Sequence, residues 1–79
     1  MNDYDVIWYD GSKYREKPVA VMIKGDKVMV KEWKPLGIVV NFLGSKREVH
    51  KVKLENGLVF KIEYIRSLDI WTVEKSRNF

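Results

Sequence analysis

The sequence predicts an all-β fold: a small, partly open, antiparallel barrel of five or six strands, SH3-like or similar, built from consecutive hairpins. Three observations predict it: short segments in which apolar and polar residues alternate, glycine-containing turns between them, and no long amphipathic helix. Short strands punctuated by turns are typical of sandwiches and small barrels. A barrel is favoured at this size because closing a sheet hides its edges.

The 79 residues predict one domain with three parts. Residues 1–16 form an acidic N-terminal segment with an edge strand, residues 17–75 hold the core hairpins, and residues 76–79 are a tail. The acidic segment carries four acidic and two basic side chains, so the rest of the chain has a net charge of +6. Such an imbalance bears on partners and not on the fold.

Composition excludes several classes of protein. The chain has no cysteine, which removes disulfides and thiolate metal sites. No segment approaches the ~20 apolar residues that a membrane helix needs, and the first residues do not form a signal peptide. We therefore expect a cytoplasmic protein that does not bind a membrane. Glutamine is also absent and Lys and Glu dominate the charges, a composition typical of thermophiles.

The first hairpin is predicted around Gly25-Asp26, a two-residue loop with glycine at its first position. This loop places the β-branched residues on one face and the methionines on the other, so the hydrophobic pattern and the turn agree. The predicted cross-strand pairs are Ile23 with Val28, Val21 with Val30, Met22 with Met29, and Ala20 with Lys31.

The second hairpin is predicted around Glu55-Asn56-Gly57. A two-residue Asn-Gly loop would set lysines opposite apolar residues. A three-residue loop with Gly57 in the left-handed conformation repairs this mismatch. Burial of each apolar side chain is worth roughly 1.5–3 kcal/mol, which outweighs turn preference. The predicted pairs are Leu54 with Leu58, Val52 with Phe60, His50 with Ile62, and Lys51 with Lys61.

A third hairpin follows from the alternation in residues 70–74. A four-residue loop at 66–69 pairs Tyr64 with Trp71 and Ile62 with Val73. Residues 6–9 are predicted to form an edge strand before Asp10-Gly11. The apolar run Leu36–Leu43 has the length of a buried strand, and a helical turn is the alternative.

The order of these features resembles a family of small prokaryotic all-β proteins of unknown function. The resemblance covers residues 18–74: a strand after Pro18, the Gly25 hairpin, Trp33, the pattern Gly57-x-x-Phe60-x-Ile62-x-Tyr64, and Trp71-x-Val73. It implies a small β fold and carries no activity and no site residues.

No constellation predicts catalysis, a metal site or a cofactor. His50 is the only histidine, and the predicted register turns it inward, where a packed core role is the usual one. There is no Gly-rich phosphate loop, no nucleophile motif and no zinc-ligand spacing. We therefore predict a protein that is not an enzyme.

A cluster of cations suggests a DNA- or RNA-binding module. Lys51 and Lys61 are predicted to lie opposite one another, although like charges in this arrangement destabilise a sheet. A bound phosphate backbone would explain the arrangement, and Trp33 would stack a base. Solvation and edge protection are the simpler roles of such lysines. The candidate nucleic-acid residues are Lys46, Arg47, Lys51, Lys53, Lys61 and Trp33.

The alternative is a protein-interaction or structural module that forms a homodimer or joins a larger complex. Met22, Met29 and Trp33 are predicted to share the face opposite the β-branched residues. An exposed apolar face of this kind suits a protein interface. The run Leu36–Leu43 would cover the same face as an intramolecular lid, and the sequence leaves both arrangements open.

Overall fold

A computed structural model describes residues 4–10, 15–41 and 43–79. All regular structure in these residues is β. The strands are β1 (Tyr4–Asp10), β2 (Arg15–Ile23), β3 (Asp26–Val40), β4 (Lys46–Leu54), β5 (Val59–Ile65) and β6 (Ile70–Ser76). The predicted all-β fold of consecutive antiparallel hairpins is therefore confirmed. None of the described residues belongs to a helix that is long and apolar enough to cross a membrane.

The six strands follow chain order in one sheet that curls into a half-barrel. Strands β1 and β6 approach each other without sharing a ladder of hydrogen bonds. The Trp71 indole N–H donates to Asp5 Oδ1 across 3.1 Å, and the rings of Trp8 and Trp71 lie 5.7 Å apart. Side chains thus connect the two edges that the backbone leaves open.

The core lies on the concave face of this curled sheet. Its buried cluster is Val6, Trp8, Val21, Val52, Leu54, Phe60, Ile62 and Tyr64. Alternate residues of β4 and β5 supply most of it, as the predicted second hairpin requires. Because the same alternation turns lysines to the convex face, one pattern sets both the core and the charged surface.

The second and third hairpins have the predicted registers. Val52 pairs with Phe60 and Lys51 with Lys61. Gly57 has a φ of 90°, and its N–H donates to the Leu54 carbonyl across 3.0 Å. The third hairpin pairs Tyr64 with Trp71, with residues 66–69 as its loop.

The predicted register of the first hairpin is wrong. The loop is Lys24-Gly25, with φ of 49° and 90°, and both values are those of a type I′ turn. The observed pairs are Ala20 with Met29, Val21 with Val28, Met22 with Lys27, and Ile23 with Asp26. The observed loop begins one residue earlier than predicted, so each residue of β2 pairs with the β3 residue two positions earlier than predicted. A shift of two keeps the paired side chains of this hairpin on their predicted faces.

The apolar run 36–43 is also corrected. Its first part is a strand, the last third of β3, and its described apolar side chains are exposed instead of buried; Phe42 lies outside the described residues. At ~3.3 Å per residue, the 15 residues of β3 have a contour of roughly 50 Å, whereas the longest dimension of the molecule is 36 Å. The strand therefore bends, at bulges between Val30 and Glu32 and between Pro35 and Gly37. Beyond Met29 it runs past the core, and β4 is the only ladder partner of residues 30–40 among the described residues.

Candidate interaction surfaces

The convex face carries a row of three lysines across three neighbouring strands. Lys34 on β3 pairs with Lys51 on β4, and Lys51 pairs with Lys61 on β5. We call Lys34, Lys51 and Lys61 the lysine row. The sequence predicted only the second pair. The bulge between Val30 and Glu32 inverts the alternation of β3 and brings Lys34 to this face, and the sequence contains no local signal for that bulge.

Acidic side chains lie beside most of the predicted cations. Glu74 is 4.0 Å from Lys61, Glu32 is 4.0 Å from Lys53, and Glu63 is 3.8 Å from Arg47. These are half-exposed pairs at long distance, so each contributes at most about 1 kcal/mol. They lower the net positive charge of the face, and among the described residues Lys61 is the member of the row that has a carboxylate side chain beside it.

Lys46 lies apart from the other predicted cations. It pairs with Val40, and Arg47 pairs with Val39, so the two cations occupy successive positions of β4 and opposite faces of the sheet. The predicted set is therefore divided: Arg47, Lys51, Lys53 and Lys61 share the convex face, and Lys46 does not.

Residues at the end of the described chain lie against the lysine row. The Lys51 ammonium donates to the Asn78 carbonyl across 2.6 Å, and the Lys34 ammonium donates to the Phe79 carbonyl across 3.1 Å. The Lys34 Nζ also lies 5.0 Å from the centroid of the Phe79 ring, within cation–π range. Phe79 thus brings an aromatic ring to the basic face, and the sequence prediction missed it because the contact joins residues 45 positions apart.

Trp33 does not lie with the lysines, contrary to prediction. It pairs with the buried Val52, and its indole N–H donates to His50 Nδ1 across 3.0 Å. The two rings are stacked at 5.9 Å. The extra residue in the β3 bulge turns Trp33 to the core side, where 38% of it stays exposed.

His50 has the predicted packed position opposite Ile62, with 5% exposure. Burial lowers the pKa of His50 below its ordinary value of 6.5; the Glu48 carboxylate opposes this shift and Arg66 adds to it. Because Nδ1 accepts the Trp33 hydrogen bond, the neutral ring carries its proton on Nε2. The hydrogen bond joins β3 to the core strand β4.

The predicted methionine and tryptophan interface is divided by the same bulge. Met22 is half-buried and pairs with Lys27, while Met29 is 42% exposed and pairs with Ala20. Met29 and Trp33 nevertheless line one cleft of about 270 Å³, together with Pro18. The cleft forms because β2 leaves β3 after Met29 and continues beside β1.

The most exposed apolar surface lies on β3 and the turn after it. Leu36, Ile38, Val39, Val40 and Leu43 are between 50% and 77% exposed, and we call these five residues the apolar arm. Ile38 pairs with Glu48 and Val39 with Arg47, so the arm has apolar side chains on both faces of the sheet. Ile38 and Leu43 also line an open groove of about 700 Å³ beside the Arg66–Glu48 ion pair.

The backbone edge of β3 beside the apolar arm is open within the described part of the chain. Strand β2 pairs only with residues 26–29 of β3, and residues 30–40 pair with β4 alone. The groups that point away from β4 have no ladder partner there, and an edge of this kind is a template for another strand.

The structure does not test the prediction that the chain is not an enzyme. The described ranges contain no group of three or more His, Asp or Glu side chains placed to hold a metal ion. Comparisons with protein-family models, with curated proteins and with solved structures find no match to this chain.

Proposed function

We propose that this chain is a protein-interaction module that self-associates through the open edge of β3 and the apolar arm. The proposal rests on two features of β3: the edge of residues 30–40 has no ladder partner in the described part of the chain, and five apolar residues beside it are at least half-exposed. Monomeric proteins seldom expose a continuous apolar surface larger than a few hundred Å².

A second copy fits this surface for two physical reasons. Antiparallel pairing of one β3 edge with its twin satisfies backbone groups on both chains, and the same patch meets itself across a twofold axis. The pairing also covers apolar side chains, each worth roughly 1.5–3 kcal/mol on full burial. The interface would be small, so we expect a weak, concentration-dependent dimer.

Sedimentation velocity tests this proposal from about 10 µM to about 1 mM, where small interfaces dissociate. The native chain should change from monomer to dimer over this range. Ile38→Lys should stay monomeric because it places a charge in the interface. Leu68→Lys is the matched control, because Leu68 is 65% exposed and Ile38 64%, and Leu68 lies in the β5–β6 turn and not on the open edge of β3. A native chain that stays monomeric throughout would refute self-association.

Binding of single-stranded nucleic acid through the convex face is the second candidate function. The lysine row favours it, because three ammonium groups in line across β3, β4 and β5 suit successive phosphates. With three contacts, the logarithm of the binding constant should fall with the logarithm of salt concentration at a slope of about −2. Binding of an oligonucleotide that is indifferent to salt, or no binding at low salt, would remove this candidate.

A further inference from the structure

Two lysines of the row make their hydrogen bonds to main-chain oxygens of one short segment. Lys51 contacts the Asn78 carbonyl at 2.6 Å and Lys34 the Phe79 carbonyl at 3.1 Å. The Ser76 hydroxyl also lies 3.4 Å from the Asn78 oxygen, at the end of β6. Residues 77–79 therefore leave β6 and turn back across the convex face.

Residues 77–79 contribute hydrogen-bond acceptors beside the lysine row, where the sheet brings several ammonium donors together. Lys34, Lys51 and Lys61 face one another directly, an arrangement that costs free energy unless oxygen atoms neutralise it. Glu74 lies beside Lys61, and the two carbonyls serve Lys51 and Lys34. The Asn78 carbonyl oxygen is a neutral dipole, so it satisfies a hydrogen bond of the Lys51 ammonium group without cancelling its charge. An anionic oxygen at the same position forms a stronger, charge-assisted hydrogen bond.

The Phe79 ring favours the position of the segment on the convex face. Its centroid lies 5.0 Å from the Lys34 Nζ, and the side chain is half-buried against the sheet. A cation–π contact at an exposed site is weak, so it favours this position of the segment without fixing it there.

We propose that residues 77–79 are a built-in competitor for the lysine row: their main-chain oxygens bind the ammonium groups of Lys34 and Lys51, and phosphate oxygens of a single-stranded nucleic acid displace them. This inference rests on the second candidate function above and adds its regulation. The bound nucleic acid forms hydrogen bonds with the ammonium groups of Lys34 and Lys51. Residues 77–79 then move off the convex face, and the Phe79 ring no longer contacts Lys34.

Fluorescence anisotropy with a labelled oligothymidylate of about 12 nucleotides tests the inference, because this length is within the site size of small β-barrel binders. Phe79→Ala should bind the probe about two- to fivefold more tightly than the native chain, since it weakens the competitor and leaves the charge unchanged. Phe79→Leu, which keeps bulk without the ring, should lie between the two.

The controls separate competition from a general effect of removing a ring. Tyr9→Ala removes another exposed aromatic that lies beside a lysine, with the Lys17 Nζ 5.9 Å from its centroid, and it should leave affinity unchanged. Lys51→Ala should weaken binding and should also abolish most of the gain from Phe79→Ala, because the two changes act at one site.

Each result has a distinct meaning. Tighter binding by Phe79→Ala, with amide resonances of residues 77–79 shifting on addition of the probe, supports the competitor. Equal binding by the native chain and by Phe79→Ala overturns the competitor and leaves the proposed nucleic-acid binding in place. Weaker binding by Phe79→Ala also overturns it, because the ring then contacts the ligand. No binding by either chain refutes the competitor together with the function on which it rests.

Discussion

The indole N–H of Trp33 donates to Nδ1 of His50 across 3.0 Å, and this bond joins the bulged strand β3 to the core strand β4. The two residues lie 17 positions apart and their rings are stacked. The hydrogen bond needs a neutral His50, since a protonated Nδ1 has no lone pair to accept it. Folding is therefore coupled to the protonation of one buried side chain.

Stability should fall in mild acid because of His50. Its pKa is lowered in the folded chain, mainly by burial, so below pH 6.5 the unfolded chain binds a proton that the native chain excludes. The contribution is fully present above pH 6.5 and is lost as the pH falls toward the folded pKa. The free energy of unfolding should decrease by up to about 1.4 kcal/mol per pH unit in this window. Urea unfolding from pH 7.5 to pH 5 measures it, and His50→Gln should flatten the profile.

Gly57→Ala should measure the free-energy cost of placing a side chain at a left-handed backbone position. Its φ is 90°, and an added Cβ would meet no atom within 4 Å, so Gly57→Ala brings strain without a clash. We expect a loss of about 1–2 kcal/mol, and a smaller loss for Gly57→Asn, which tolerates this conformation. Chemical denaturation of both variants checks the prediction. Equal stability of Gly57→Ala and the native chain would contradict the strained, left-handed loop.

Phe60 should be the most costly single side chain to truncate. It is fully buried against Val52, and the ring of Tyr4 lies 4.9 Å away. Phe60→Ala should cost about 3–5 kcal/mol, a large part of the stability of so small a domain. Leu68→Ala, at a site that is 65% exposed, should change the free energy of unfolding by less than about 0.5 kcal/mol. Calorimetry or denaturant titration gives both values, and comparable losses would be inconsistent with the assigned core.

Thermal stability should depend on protein concentration if the apolar arm pairs with a second copy. A dimer that forms only between folded chains raises the Tm by mass action. The native chain and Leu68→Lys should show a Tm that increases with concentration, and Ile38→Lys should show a constant one. Differential scanning calorimetry over a hundredfold range of about 10 µM to about 1 mM measures this effect. The same concentration dependence in Ile38→Lys would place the interface elsewhere.

The sequence by itself determined the features that depend on neighbouring residues. Alternation in β4 and β5 and the loop at Gly57 selected the pairing of Val52 with Phe60, because only that register buries the apolar side chains together. The same pattern predicted Lys51 opposite Lys61. The loop at Gly25 was predicted one residue too late, but the paired residues of β2 and β3 still lie on their predicted faces. A register shift of two residues preserves the alternation of side chains.

Only the tertiary structure decided the features that depend on the curvature of the whole sheet. The bulge before Glu32 turned Trp33 inward and Lys34 outward, and the divergence of β2 from β3 left the edge at residues 30–40 open. The contact of Phe79 with Lys34 spans 45 positions of the chain. A bulge and a long-range contact depend on how all the strands pack together, so no local pattern of residues specifies them.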